Sequence, residues 1–155
     1  MTAVNFAQMM ANMGMGLPSP LEFSNVDARF YGMDVDAHYT LNDSVTLRAI
    51  LNIVRADRRD INDNLYRVSP DNLLVALDYR GQGWSASIEG VHYADQDRIS
   101  VTNIEQATEG YSLINLMART EIAEGIEVRV GAENLLDEEY LDHLAAYNRA
   151  YNPDI

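Results

Sequence analysis

Cysteine is absent from the 155 residues, which rules out disulfides, thiolate metal sites and cysteine nucleophiles. Cations are scarce: 11 Lys and Arg stand against 24 Asp and Glu, a formal charge of -13. Nucleic acid needs a basic footprint for its phosphates, so no nucleic-acid partner is expected. No apolar run nears the roughly 20 residues of a membrane helix. Any crossing of a bilayer would therefore have to be made by a closed β-barrel. Nucleophile elbow, phosphate loop and zinc motif are all missing, so neither an enzyme nor a cofactor is expected. Met1–Pro20 also lacks the basic head and continuous apolar core of a signal peptide.

What is present is alternation. Hydrophobic residues make up 47% of the chain, and they recur with the period of two that marks a strand with two different faces. In Ile126–Tyr140, IEVRVGAENLLDEEY, Ile126, Val128, Val130 and Ala132 point one way and Glu127, Arg129, Gly131 and Glu133 the other, before an acidic loop begins at Asn134. The same pattern predicts strands over about Asn25–Thr40, Ser44–Ala56, Asn72–Arg80, Trp84–Asp95 and Gly110–Glu121, with a seventh possible over Met1–Gln8. In the first of these, Val26, Ala28, Phe30 and Gly32 are set against Asp27, Arg29 and Tyr31.

The connections alternate in length. Leu41-Asn42-Asp43, Gly81-Gln82-Gly83 and Ile122–Gly125 read as tight turns, whereas Asp57–Asp71, Gln96–Glu109 and Leu135–Ile155 are long polar segments. The fold class is thus all-β, an antiparallel up-and-down meander. Short turns at one end and long loops at the other are the habit of outer-membrane barrels. Strands of roughly 9–13 residues also suit a tilted membrane crossing better than the usual 5–6 of soluble sheets. Tyr39, Tyr79 and Trp84 fall beside the short turns, and Tyr93 and Tyr111 flank a long loop, as two interfacial girdles would.

GAENLLDEEYLDH at Gly131–His143 resembles the penultimate-strand signature of TonB-dependent outer-membrane receptors, through Asn134, Leu135, Asp137 and Tyr140. SNVDARFYGMDVDAHYTL at Ser24–Leu41, LYRVSPDNLLVALDY at Leu65–Tyr79 and WSASIEGVHYADQ at Trp84–Gln96 resemble the same family in the same order. The resemblance implies a barrel of about 22 strands occluded by an N-terminal plug. It further implies import of iron siderophores, other metals or similar scarce nutrients, and energy from a TonB complex contacted through the plug. The chain matches about the last third of such a barrel. Residues 1-155 are therefore expected to be its C-terminal segment, with plug and final strand absent, residing in the lipid of a Gram-negative outer membrane.

Four methionines in seven residues, Met9, Met10, Met13 and Met15, fall in a loop on the long-loop side. Thioethers are soft ligands that select Cu(I), so these four are the candidate metal ligands. The bland alternative is a flexible lining for a loop. His143 joins them as a ligand-loop candidate, Tyr140–His143 and Asn148-Arg149 loosely fitting the copper-type receptors. His38, His92 and His143 show no metal spacing, and as ordinary residues they belong to a surface or lumen. Asp34/Asp36, Asp57/Asp60 and Glu138/Glu139 read as solvated charge. Arg48, Asn52, Asp78, Arg80, Glu89, Arg129 and Glu133 form a polar wall. Two other readings stay open. A small independent outer-membrane barrel of structural or adhesive role requires its own closing strand and signal sequence. A soluble lipocalin-like ligand-binding barrel requires the aliphatic face to turn inward.

Overall fold

The structure is a computed structural model that describes residues 25–145. Six strands run β1 (Ala28–Asn42), β2 (Val45–Arg58), β3 (Asn72–Arg80), β4 (Trp84–Tyr93), β5 (Tyr111–Ala123) and β6 (Ile126–Ala132). They form one sheet in sequence order, each strand antiparallel to the next. Among the described residues, β1 and β6 pair with nothing beyond their single neighbours, so the sheet is open. The Met1–Gln8 strand, the candidate ligands Met9, Met10, Met13 and Met15, and Asn148-Arg149 lie outside the described residues.

The turns follow from local chemistry. Asn42 accepts the Ser44 N–H on its side-chain oxygen at 2.9 Å, so the first turn is Asp43-Ser44 and Asn42 stays in β1, one step later than Leu41-Asn42-Asp43 implied. Gly83 (φ 80°) and Gly125 (φ 74°) supply the left-handed backbone of the other two. All three turns lie at one rim. The segments 59–71, 94–110 and 133–145 lie at the other.

Register sorts the side chains into two faces. On one, Val35 stands opposite Leu51 and Tyr39 opposite Leu47. The row continues through Leu47–Leu77–Ile88–Leu116–Ala132 across the remaining strands. On the other face stand Asp34, Arg48, Asn52, Asp78, Ser87, Glu89, Asn115 and Arg129. The apolar face is open along its length, Val75, Leu77 and Ile88 being 41, 42 and 47% exposed. The polar face is covered in part: Ala76, in the middle of the sheet, is 1% exposed, while Phe30 and Met117 on the same face are 67 and 59% exposed. Among the described residues the fully covered hydrophobics are only Ala56, Ala76 and Tyr111. The aliphatic side chains therefore do not converge on a dry centre, as a lipocalin-like barrel in water demands. From Val45 to Ile53 the apolar positions of β2 span about 26 Å along the strand at ~3.3 Å per residue. A tilt of about 40° leaves about 20 Å of height, most of a lipid-facing band of about 25 Å.

Two expectations about faces are corrected. Met33 pairs with Ile53 and Val35 with Leu51, so the odd-numbered residues of β1 carry its apolar face. Phe30 and Gly32 consequently fall on the polar side with Asp34 and Asp36, reversing the sorting read from the start of that strand. A Cβ on Gly32 would meet the Ile53 carbonyl oxygen at 2.3 Å, which is why a glycine stands there. Tyr39, Tyr79 and Trp84 do form a girdle on the apolar face beside the short turns, Tyr79 and Trp84 packing at 4.6 Å. Tyr93 and Tyr111 do not form the opposite one. Counting by twos from Trp84 places Tyr93 on the polar face, and its partner Tyr111 follows it there.

Candidate ligand-facing surface

The polar face is held by a ladder of side chains crossing four strands. Arg48 Nε lies 3.2 Å from Asp78 Oδ2 and its Nη2 3.6 Å from Glu89 Oε2. Ser87 donates to Asp78 at 2.6 Å, Asn52 to Asn72 at 2.8 Å and Asn115 to Glu89 at 3.3 Å. Such pairs stabilise a half-covered sheet modestly, about 0.2–1 kcal/mol each. Toward the short turns the face sinks into a trough of about 500 Å³ whose walls include His38, Asp78, Ser87, Arg80, Arg119 and Arg129. Of the polar set expected from the sequence, the structure brings Arg48, Asp78 and Glu89 into contact on this face.

At the other rim the three long segments are knitted together. Asp63 accepts from Ser100 Oγ at 3.0 Å, from the N–H groups of Val101 and Thr102 at 2.9 and 3.0 Å, and from the Thr102 hydroxyl. Burial alone would raise the Asp63 carboxyl, but the bonds from Thr102, Val101 and Ser100 together outweigh it and hold the group far below the usual carboxylate range. Asn64 donates to Ile99 O at 3.0 Å and Gln96 to Val68 O at 2.9 Å. The centre of the cluster is Glu105, which accepts the backbone N–H of Arg67 at 2.8 Å on one oxygen and that of Ser100 at 2.7 Å on the other.

His143 closes the cluster. Its Nε2 lies 3.2 Å from Glu105 Oε1 and its Nδ1 3.0 Å from Thr108 Oγ1. A carboxylate can only accept, so Nε2–H is the donor to Glu105. The side chain is buried, which corrects the surface-or-lumen reading of His143. Both ring nitrogens are engaged by protein groups. Arg67 Nη2 adds a bond to Leu144 O at 3.1 Å. Below, Tyr140 stacks on Tyr111 at 4.2 Å and Tyr111 on Tyr93 at 4.8 Å, so the misassigned girdle is a three-ring seat under the loops.

The motif residues build the exit from β6. Asn134 takes a left-handed backbone (φ 51°), as does Asp137 (φ 52°), conformations that Asn and Asp tolerate better than most side chains. The Asn134 side chain pairs with the Glu138 backbone in both directions, at 3.0 and 2.9 Å, while its own N–H donates to Asn115 Oδ1 at 3.0 Å. Leu135 N–H continues the ladder to Ile114 O at 2.9 Å. Asn134 and Asp137 thus turn the chain, and Tyr140 lands on the tyrosine stack. Leu135 and Tyr140 remain partly exposed.

Among the described residues no group of three or more His, Cys, Asp or Glu could hold a metal ion. Nothing in the cluster is a paired nucleophile and base; its donors and acceptors are spent on one another. The arrangement is suited to holding a shaped crown of loops at the rim of a polar, charged wall. Sequence reading missed Asp63, Glu105, Thr108 and the tyrosine stack, because a carboxylate in a polar loop looks the same whether it faces water or a neighbouring loop.

Comparison with known proteins agrees with this geometry. Residues 5–135 match the family model described as TonB dependent receptor-like, beta-barrel. Among solved structures, one titled "Copper transporter OprC" superposes with a TM-score of 0.72 at 25% identity, over 78% of this chain and 20% of that one. The chain therefore spans a fifth of the length of that structure. No curated protein matches it.

Proposed function

Since the chain belongs to the TonB-dependent receptor β-barrel family, whose model covers residues 5–135, we propose that it is part of the wall of an outer-membrane receptor that imports a metal or metal chelate. The family consists of receptors and transporters rather than enzymes. On this reading the apolar face meets membrane lipid and the polar face lines the lumen. The short turns lie in the periplasm and the knitted loops outside the cell, where ligand arrives. The whole of residues 1-155 is then a C-terminal barrel segment, with the plug and TonB contact supplied by other parts of the receptor.

The observation that carries this is the pairing of an exposed aliphatic face with a charged, hydrogen-bonded one on an open sheet whose short turns share one rim. Copper is favoured among metals by the methionine run and by the likeness to a structure titled as a copper transporter. Met9, Met10, Met13 and Met15 are the proposed ligands. His143, with both nitrogens occupied by Glu105 and Thr108, serves to hold the 94–110 and 133–145 loops together rather than to bind the metal. Titrating Cu(I) into the receptor carrying this chain tests the assignment. Changing all four methionines to leucine is expected to abolish saturable binding. Unchanged affinity would remove copper from the account and leave a chelate as cargo.

A further inference from the structure

On the apolar face, chemistry changes abruptly toward the long-loop rim. Met33 opposite Ile53 is the last aliphatic pair of β1 and β2; Tyr31 opposite Arg55 follows, then Arg29 opposite Asp57. Arg29 Nη2 lies 3.1 Å from Asp57 Oδ2, and Arg98, from the β4–β5 loop, places its Nη2 2.6 Å from Oδ1 of the same carboxylate. One anion thus draws together two cations from distant parts of the chain. Each guanidinium offers five N–H donors, and each spends one group on Asp57, so most of their donors and one net positive charge are left over. Their side chains are 64% and 42% exposed. Arg29 is further fixed over the Tyr31 ring at 5.1 Å. Neighbouring Arg55 contributes no surplus, because Asp71 takes its two terminal nitrogens at 2.5 and 2.7 Å.

We propose that Arg29 and Arg98, clamped by Asp57, bind the phosphate of an anionic lipid whose acyl chains lie on Met33, Val35, Leu51 and Ile53. Two convergent guanidinium groups match a phosphate in charge and in fork geometry. The height is also right, since a headgroup sits just where an apolar band ends. In a chain of formal charge -13, an outward-facing cation pair at that height is a departure that lipid phosphate accounts for. Free phosphate would gain the charge contacts but nothing from the aliphatic rows beneath. The inference rests on the apolar face being lipid-facing, and that premise is read separately, from quenching of Trp84 by brominated lipid.

The test is lipid retention. The receptor carrying this chain is purified in detergent, supplied with dioleoyl phosphatidic acid or dioleoyl phosphatidylcholine, and the retained lipid is measured by native mass spectrometry. Wild type is expected to retain phosphatidic acid selectively. Arg29→Gln with Arg98→Gln should lower retention about tenfold, as loss of two charge-assisted contacts would. Arg80→Gln with Arg129→Gln, on the opposite face, should change nothing. If the first pair fails to fold, Arg29→Lys with Arg98→Lys, which keeps both charges but loses the forks, should still lose several-fold. Equal retention by wild type and the Arg29/Arg98 variants would overturn the proposal. So would equal loss in the Arg80/Arg129 pair, or displacement of the lipid by inorganic phosphate at matched concentration.

Discussion

Replacing Glu105 by alanine strikes the centre of the loop cluster. The Glu105 carboxylate is the partner of three donors: the N–H of Arg67, the N–H of Ser100 and Nε2–H of His143. Ser100 and His143 are buried, so water cannot replace the lost acceptor without opening the loops. An unsatisfied buried donor costs about 1–3 kcal/mol. Two of them at the lower end of that range, with some loss at Arg67, give about 3 kcal/mol. That corresponds to a local opening constant larger by roughly two powers of ten. Hydrogen exchange in detergent micelles reads this directly. Amides in 59–71, 94–110 and 133–145 should lose protection together, because Glu105 is the point at which all three meet. The β2–β4 ladder should be unaffected, since none of its bonds involves the cluster. Unchanged protection at Ser100, or loss confined to a single loop, would refute a latch centred on Glu105.

Two further outcomes follow from the faces and the loops. Val75→Arg, in the middle of the apolar face, should cost about 2–4 kcal/mol of folding stability in lipid vesicles, whereas Ser85→Arg on the polar face should cost little; urea titration monitored by heat-modifiable mobility compares them. The Asp63 carboxyl is depressed in the folded state by bonds from Thr102, Val101 and Ser100, so its contribution is present above the ordinary carboxylate value near 3.9 and lost as pH falls below about 4. Protection of the 94–110 loop should therefore fall progressively as pH drops below about 4, and more steeply in wild type than in Asp63→Asn, by exchange corrected for intrinsic rate.

The strand order and the segregation of short and long connectors were legible because each depends on nearby residues: alternation within a strand, and Asn or Gly where a turn needs them. The face of β1 was not. Phe30 and Tyr31 are adjacent and both apolar enough to start either pattern, and only pairing of Met33 with Ile53 fixes which one wins. The error over Tyr93 had a different origin. Its height near the rim was read correctly, but its parity relative to Trp84 was countable and decides its face. The loop cluster was out of reach of local pattern: Glu105 lies 38 residues from both Arg67 and His143 in sequence. Nothing in GAENLLDEEYLDH signals that its histidine ends up buried against Glu105.

The central claim is that hydrocarbon covers the aliphatic face. Trp84 is the chain's single tryptophan and stands on that face beside the short turns, packed on Tyr79. Bromine quenching of its fluorescence in vesicles is the direct test. Trp84 should be quenched most by lipids brominated near the headgroup, and Val75→Trp in a Trp84→Phe background most by lipids brominated near the bilayer centre. Ser85→Trp in the same background should respond to aqueous iodide instead. Equal iodide access at all three positions, with no dependence on bromine depth, would contradict the account.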